Sequence, residues 1–190
     1  MPSLLYLHGL ESGPQATKAR ALRDAGFTVT APALDTAPAA KLLAEGSTDE
    51  TAWKSALARP VSQAAEALAQ SHPDVIVASS FGAAVLLTLL REHHELPATP
   101  VVMLAGAGVR LTHYRALPPG VPAVLVHGLE DDVVPPADSR LLVEASPGAL
   151  LVELHDDHRL SHTTDSGLLV TLVHLALSRA PVKSPAGPGR

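Results

Sequence analysis

The stretch DVIVASSFGAAVLLTLL, residues 74–90, joins a short apolar run to a longer one through a turn of small residues. Its β-branched beginning is typical of a buried strand, and the apolar residues after the turn are numerous enough for a helix. A serine held at a sharp strand-to-helix turn exposes its hydroxyl above the sheet, which is the geometry of a nucleophile elbow. The stretch therefore predicts an α/β fold with a candidate nucleophilic serine.

The turn offers two serines, and steric crowding distinguishes them. In a nucleophile elbow the residues two before and two after the nucleophile pack against neighbouring backbone, so both must be small. Ser80 has Ala78 and Gly82 at these positions, whereas Ser79 would have a valine and a phenylalanine. We therefore predict Ser80 as the nucleophile. Ala78 departs from the G-x-S-x-G pattern, so these five residues alone leave open a small-residue turn without chemistry.

Short apolar runs alternate with longer amphipathic ones along the chain, as expected of a parallel sheet covered by helices. Candidate strands span residues 3–7, 27–31, 74–78, 100–104, 123–127 and 149–154, and candidate helices span 16–25, 56–70, 81–94, 136–145 and 166–177. Pro60 lies inside the second helical stretch, so we expect that helix to begin near it. The predicted fold class is a three-layer α/β/α sandwich around a mostly parallel sheet of about six strands.

Two regions do not fit this alternation. Residues 35–54 are polar and Ala-rich, and we expect a loop with one helical turn that could border the active site. Residues 181–190 are rich in Pro, Gly and charge without an apolar period, which predicts a disordered tail. The remaining residues 1–180 are enough for a single domain with its own core and leave little room for a second.

Composition excludes several classes of function. The 190 residues are 46% hydrophobic and carry a formal net charge of -5, so we expect no basic face for nucleic acid or a membrane surface. The absence of cysteine excludes disulfides, thiolate metal sites and a cysteine nucleophile. The N-terminal MPSLLYLHG has no basic flank and only a short apolar run, which predicts neither a signal peptide nor a membrane span and a cytoplasmic location.

A serine hydroxyl needs a base to become a good nucleophile, usually a histidine that is oriented by a carboxylate. Acidic residues follow the predicted strand 123–127 in the run HGLEDDVVP, residues 127–135, and the run HDDH, residues 155–158, follows the strand 149–154. Both runs are expected at the carboxyl edge of the sheet, where open α/β folds bind their ligands. An acid and a base are therefore available near the candidate serine.

In these motifs and their order of serine, aspartate and histidine, the chain resembles the α/β-hydrolase superfamily, in particular its small bacterial serine esterases without a cap domain. The resemblance covers nearly the whole chain before the tail. The run 127–135 is similar to the family pattern H-G-x-x-D-x-x-V-P, whose aspartate is the triad acid, and this implies Asp131 rather than Glu130 or Asp132. The run DHR at residues 157–159 resembles the acidic-His turn before the last helix, which implies His158 as the base.

The resemblance also implies an oxyanion hole. Residues 7–14, LHGLESGP, are similar to the H-G loop after the first strand of small esterases, which supplies one backbone N–H, here that of Leu10. The second donor would be the N–H of Phe81, at the start of the following helix. Gly9, Leu10 and Phe81 are the predicted substrate-binding residues, and Leu111 or Tyr114 could add to the lining.

The predicted cleft is open. Members of the superfamily usually insert their lid after the strand that corresponds to 100–104, but only residues 105–121 separate that strand from the next. This segment is too short for a full cap, so we expect a shallow cleft for small or extended acyl substrates. The serine in the elbow also argues against the haloalkane dehalogenases and epoxide hydrolases of this fold, which use an aspartate there.

The remaining histidines have structural explanations. We interpret His8 and His127 as braces of loops. His93 and His94, at a predicted helix end, would face solvent and complement the helix dipole. The histidines and aspartates of residues 155–162 could instead bind a divalent metal, but an irregular loop predicts no fixed ligand geometry, and we assign no metal.

Together these observations predict a carboxylic-ester hydrolase in which Ser80 attacks the carbonyl, His158 transfers the proton and Asp131 orients the imidazole. The expected partner is a small-molecule ester, no cofactor is needed, and a monomer is the default. The same residues would serve a thioesterase, an amidase or a perhydrolase. The alternative from another class is a binding protein of this fold with a vestigial triad, which the imperfect elbow at Ala78 would favour.

Overall fold

The computed structural model describes residues 1–92 and 99–181. Within these residues the strands are β1 (Ser3–Leu7), β2 (Thr28–Thr30), β3 (Val75–Ser79), β4 (Val101–Leu104), β5 (Ala123–Gly128) and β6 (Leu150–Leu154). The helices are α1 (Thr17–Asp24), α2 (Ala37–Ala44), α3 (Glu50–Ser71), α4 (Phe81–Glu92), α5 (Gly108–Thr112), α6 (Pro136–Glu144), α7 (Ser161–Asp165) and α8 (Leu168–Ser178).

The strands form one six-stranded parallel sheet in the order β2-β1-β3-β4-β5-β6. Each predicted strand is present, with ends that shift by at most one residue. The chain adds β2 on one side of β1 and β3 on the other, so the strand order reverses beside β1. In open α/β sheets such a reversal creates a crevice at the carboxyl ends of the strands. This topology places the ends of β1 and β3 at the edge where a site is expected.

Alternate residues of each strand enter cores on opposite faces of the sheet, as the strand period of two requires. Leu5 and Ile76 pack in the core beneath α3 and α4. Leu4 and Val75 pack in the core beneath α1 and α8. Helices therefore cover both faces, and the predicted three-layer α/β/α sandwich is confirmed.

The prediction that the second helical stretch begins near Pro60 is wrong. Helix α3 begins at Glu50, because the Asp49 carboxylate caps it by accepting the N–H groups of Thr51 and Ala52 at 2.9 and 3.2 Å. Pro60 lies inside the helix and has no N–H to donate, which typically costs about 3 kcal/mol. The cap and the burial of Trp53 on the same helix offset this cost.

The expectation of a loop over residues 35–54 is also wrong. The segment contains all of α2 and the first residues of α3. Their alanines and leucines supply an apolar side that packs in the core beneath α3 and α4, as Ala39 and Leu42 do. Helices α5 and α7 were not predicted either, because five residues are too few to show a helical period.

Some expectations concern residues outside the described part of the chain. His93, His94 and residues 182–190 of the predicted tail lie there. Among the helices of the described residues, none combines the length and the apolar character needed to cross a membrane.

Candidate active site

Ser80 lies between β3 and α4 with a positive φ of 52°. This left-handed conformation is costly for a residue with a side chain and needs support from its surroundings. The support comes from main-chain hydrogen bonds: the Ser80 N–H donates to the Leu104 carbonyl at 2.9 Å, and the Ser80 carbonyl accepts from Ala83 and Ala107. The predicted strand-to-helix turn therefore has the backbone geometry of a nucleophile elbow.

The small residues around Ser80 meet the steric demand that the sequence predicted. A methyl group on Gly82 would overlap the Leu7 carbonyl and lie 2.9 Å from the His8 carbonyl oxygen, so only glycine fits without a shift of β1. Ala78 is a buried residue inside strand β3 and has no positive φ, so its methyl group is tolerated. The departure from glycine at this position therefore does not disturb the turn.

The neighbouring Ser79 is the last residue of β3 and does not belong to the turn. It is buried at the end of β3, and its hydroxyl is hydrogen-bonded to Tyr6. Burial raises the pKa of Tyr6 to about 12, although the hydrogen bond with Ser79 acts in the opposite direction. Ser79 is therefore engaged with Tyr6, whereas the Ser80 hydroxyl lies near His158.

Ser80, His158 and Asp131 come together although they are far apart in the chain. The Ser80 Oγ atom lies 3.0 Å from Nε2 of His158, and Nδ1 of His158 lies 2.8 Å from Oδ2 of Asp131. Because a carboxylate can only accept, Nδ1 of His158 carries the proton, and Nε2 is left to accept the serine O–H. The Asp131 side chain is completely buried, whereas that of His158 is 19% exposed.

The loop after β5 holds the Asp131 carboxylate in place. Oδ1 accepts the N–H groups of Val133 and Val134 at 2.9 and 2.8 Å, which folds the loop around the side chain. The same loop is joined to the turn after β6, because the N–H of Glu130 donates to the Asp156 carbonyl at 3.1 Å. A methyl group on Gly128 would overlap that carbonyl, so glycine allows the two loops to approach.

Asp156 organises the turn that carries His158. It is 6% exposed, and its carboxylate accepts the N–H groups of Asp157, His162 and Thr163 and the Thr163 hydroxyl, at 2.7–3.3 Å. Burial by itself would raise the pKa of Asp156, but the hydrogen bonds from Thr163 and from the two other amides outweigh burial and lower it. Asp156 is therefore a structural acid of the His158 turn.

A lysine from the first helix approaches the same turn. Burial lowers the pKa of Lys18 on α1, and the carboxylates of Asp157 and Asp156 counteract part of this effect. Lys18 is therefore one of the charged groups that interact with the His158 turn.

The loop after β1 lies against Ser80. A Cβ atom on Gly9 would stand 3.4 Å from Cβ of Ser80. Among the described residues, no acceptor pairs with the backbone N–H groups of Leu10 and Phe81. Leu10 is only partly buried. The Phe81 side chain is 0% exposed and packs in the core. The expectation that its ring lines the cleft is therefore wrong, and only its amide is a candidate substrate contact.

His8 braces this loop. Its Nδ1 lies 2.8 Å from the Gly9 carbonyl oxygen, and its Nε2 accepts the N–H of Leu34 at 3.1 Å. The ring therefore carries its proton on Nδ1. Burial lowers the pKa of His8, and the hydrogen bond to Gly9 acts in the opposite direction.

Other contacts at the site had no signal in the sequence. The Thr36 hydroxyl donates to the Leu10 carbonyl at 3.3 Å, and the Ser12 hydroxyl donates to the Gly9 carbonyl at 3.3 Å. Within residues 35–54, Thr36 therefore contacts the loop that carries Leu10. Leu111 and Tyr114, the further candidates for lining the cleft, are partly buried against the core beneath α3 and α4.

The histidines and carboxylates of residues 155–162 do not converge. His158 faces Ser80 and Asp131, the Asp156 carboxylate is surrounded by donors, and His155 lies 3.8 Å from the exposed Glu130. Within residues 1–92 and 99–181, no three side chains of metal-ligating type form a group that could hold an ion.

A parallel sheet of this order with a serine elbow, a histidine and an aspartate at its carboxyl edge defines the α/β-hydrolase class. A protein of the α/β-hydrolase superfamily from Xanthomonas campestris pv. campestris is 25% identical, with 94% of this chain and 99% of that one covered and a TM-score of 0.68. A solved structure described under the metagenome-derived lipolytic enzymes LipS and LipT matches at 16% identity, with 93% of this chain and 93% of that one covered and a TM-score of 0.66. An esterase domain from Rhodothermus marinus matches at 19% identity over 94% of this chain and 86% of that one, with a TM-score of 0.56.

No curated protein matches the chain in sequence. The model of the family described as Serine hydrolase (FSH1) matches residues 45–165, which include Ser80, Asp131 and His158. The chain belongs to this serine hydrolase family, within the α/β-hydrolase superfamily.

Proposed function

We propose that this protein is a carboxylic-ester hydrolase that acts through an acyl-enzyme on Ser80. The observation that carries the proposal is the continuous contact of three side chains, with 3.0 Å between Ser80 Oγ and His158 Nε2 and 2.8 Å between His158 Nδ1 and Asp131 Oδ2. Both distances are within the range for a nucleophile that is activated by an oriented base. Membership in a serine hydrolase family supports the same conclusion.

In the first half of the reaction Ser80 Oγ forms a bond to the ester carbonyl carbon while its proton moves to Nε2 of His158. The imidazole becomes positively charged, and the buried Asp131 carboxylate stabilises that charge. When the tetrahedral intermediate collapses, the carbon–oxygen bond to the alcohol breaks and His158 returns the proton to the leaving oxygen. The product of this half is the acyl-Ser80 ester.

The backbone N–H groups of Leu10 and Phe81 are the donors for the oxyanion. Phe81 is the first residue of α4, where helical amides lack intrahelical partners and the dipole favours negative charge. Leu10 follows Gly9, which lies against Ser80. Loss of one such donor typically costs about 3 kcal/mol in the transition state.

Water completes the cycle. His158 accepts a proton from the water molecule while the water oxygen attacks the acyl carbon. The proton then moves to Ser80 Oγ as the acid leaves.

A small ester suits the site because the segment between β4 and β5 consists of helix α5 and its flanking residues, which is too little chain for a cap. Thioesters, amides and peroxy acids would engage the same residues. A series of substrates that differ in their acyl group and leaving group therefore defines the substrate class.

The test compares two serine variants by labelling with a fluorophosphonate probe and by hydrolysis of small p-nitrophenyl esters. Ser80→Ala should abolish both, since no other oxygen occupies the nucleophile position. Ser79→Ala is the matched control, because Ser79 is adjacent but points towards Tyr6, and it should still label. Intact-mass analysis after a pulse of activated ester should place the acyl group on Ser80. A wild-type protein that neither labels nor hydrolyses any ester of the series would instead favour a binding protein.

A further inference from the structure

A second buried histidine lies beside the Asp131 carboxylate. His127, at the end of β5, is completely buried, and its Nε2 lies 2.8 Å from the Val134 carbonyl oxygen and 3.1 Å from Oδ2 of Asp131. Both neighbours are acceptors, so Nε2 carries a proton whether the ring is neutral or charged. The N–H donates to the Val134 carbonyl and presents its positive end to Asp131.

A serine on a neighbouring helix fixes the other side of the ring. Nδ1 of His127 lies 2.7 Å from the hydroxyl oxygen of Ser139, a buried residue of α6. With Nε2 protonated, the neutral ring accepts the Ser139 O–H at Nδ1. Ser139 therefore holds the ring in the orientation that keeps the N–H on the side of Asp131.

His127 acts on Asp131 both directly and through the loop. Val134 donates its N–H to Oδ1 of Asp131 at 2.8 Å, while its carbonyl accepts from His127. Oδ2, the oxygen that accepts from His158, has the His127 ring nitrogen on its other side. A rotation of the carboxylate away from His158 would therefore disturb both His127 and Val134.

We infer that His127 is a positioning residue for the triad acid and that Ser139 fixes the orientation of its ring. This inference rests on the proposed function, because the orientation of Asp131 matters only if His158 serves as the base. It goes beyond the loop brace that the sequence suggested, since it predicts an effect on the chemical step. Removal of a hydrogen bond that orients a ligating group typically costs about 10–100-fold in activity at metal sites, and we expect an effect of this kind here.

The decisive experiment uses a matched pair of serines. Ser139 and Ser146 are both 5% exposed, and each makes a side-chain hydrogen bond, but Ser146 bonds to Leu142 and Leu117 and does not contact His127. We expect Ser139→Ala to lower kcat and the rate of fluorophosphonate labelling by about 10-fold with KM unchanged, because the chemical step alone is affected. Ser146→Ala should keep the wild-type kcat even if its unfolding midpoint falls as far as that of Ser139→Ala.

Two substitutions of His127 add a rescue test. Gln presents an N–H close to the position of Nε2, whereas Leu has similar bulk and no donor. His127→Gln should retain more of the wild-type kcat than His127→Leu. If His127→Leu does not fold, the serine pair still decides the question.

A spectroscopic readout separates this inference from the proposed function. The N–H of His158 that donates to Asp131 should give a far-downfield proton resonance, which needs no substrate. We expect Ser139→Ala to shift or broaden it and Ser146→Ala to leave it unchanged. Equal kcat values and equal spectra for the two serine variants would overturn the role of His127. A wild-type protein without labelling or hydrolysis, but with a resonance sensitive to Ser139, would overturn the proposed function alone.

Discussion

Ser80 shows how a single residue combines strain with function. Its φ of 52° costs about 1–3 kcal/mol for a residue other than glycine. The conformation directs the hydroxyl towards His158, 3.0 Å away, and leaves the N–H of Phe81 at the start of a helix. The main-chain hydrogen bonds of Ser80 and the close packing of the turn against β1 offset this cost.

The closest packing is at Gly82, and it gives a prediction at this scale. In Gly82→Ala the new methyl group would overlap the Leu7 carbonyl, so β1 or the turn must move. We expect a loss of about 1–3 kcal/mol in the free energy of unfolding, together with most of the fluorophosphonate labelling, because Ser80 moves with the turn. Urea denaturation measures the stability loss.

Gly13→Ala is the control for this substitution, since nothing lies within 4 Å of a methyl group there. It should unfold and label as the wild type does. A Gly82→Ala protein with unchanged stability and labelling would contradict the packing argument.

At the scale of the element, each predicted functional residue depends on how a loop or a helix end is held. Helix α7 begins just after His158, and the Asp156 carboxylate bonds to the amides of His162 and Thr163. The hydrogen bond from the Glu130 N–H to the Asp156 carbonyl connects this turn to the loop that carries Asp131. The position of the base is therefore decided by the acid two residues before it.

Asp156→Asn should break this arrangement. An amide has one acceptor oxygen and directs its NH2 group at donors, so at least one buried N–H loses its partner, at about 1–3 kcal/mol. We expect a lower urea midpoint and a fall in kcat, because the His158 turn loosens. Asp165→Asn, an exposed position of the same helix, should change neither. Equal behaviour of the two variants would remove the structural role of Asp156.

Helix α3 offers a second prediction at this scale. Asp49→Ala removes the carboxylate that accepts from Thr51 and Ala52, and typical caps contribute about 0.5–2 kcal/mol. Thermal unfolding should show this loss while ester hydrolysis stays at its wild-type rate. Asp24→Ala serves as control: Asp24 ends α1, where the dipole disfavours an acid, so its removal should leave stability unchanged or raise it.

For the whole molecule, acid sensitivity follows from the buried groups. Burial lowers the pKa of His8 below its ordinary 6.5, so the unfolded chain binds the proton more readily than the folded one. Hydrogen bonds lower the pKa of Asp156 below 3.8 in the same sense. Stability from both groups is complete above the unfolded pKa values and is lost as the pH falls through the folded ones.

His8→Gln tests the upper part of this dependence. We expect the variant to be less stable than the wild type at pH 7, because the brace between Gly9 and Leu34 is weakened. The difference should shrink as the pH falls below 6.5, where only the wild type must protonate a buried ring. Urea unfolding at a series of pH values measures it. A parallel shift in place of a shrinking difference would contradict the argument.

The sequence by itself determined the features that depend on local geometry. The strand-to-helix turn, the choice of Ser80 over Ser79 and the expectation of a small residue at 82 follow from residues that are neighbours in the chain. The alternation of apolar runs determined the three-layer sandwich, because the strand and helix periods are properties of short segments. Motif order led to Asp131 and His158, which lie within hydrogen-bonding distance of each other.

Only the tertiary structure decided which side chains support these residues. The start of α3 depends on the cap at Asp49 and on the burial of Trp53, and neither follows from helical propensity around Pro60. The burial of Phe81 and the contact between Ser139 and His127 depend on how helices pack on the sheet. Such contacts join residues far apart in the chain, and their energies come from burial that exists only after the layers have assembled.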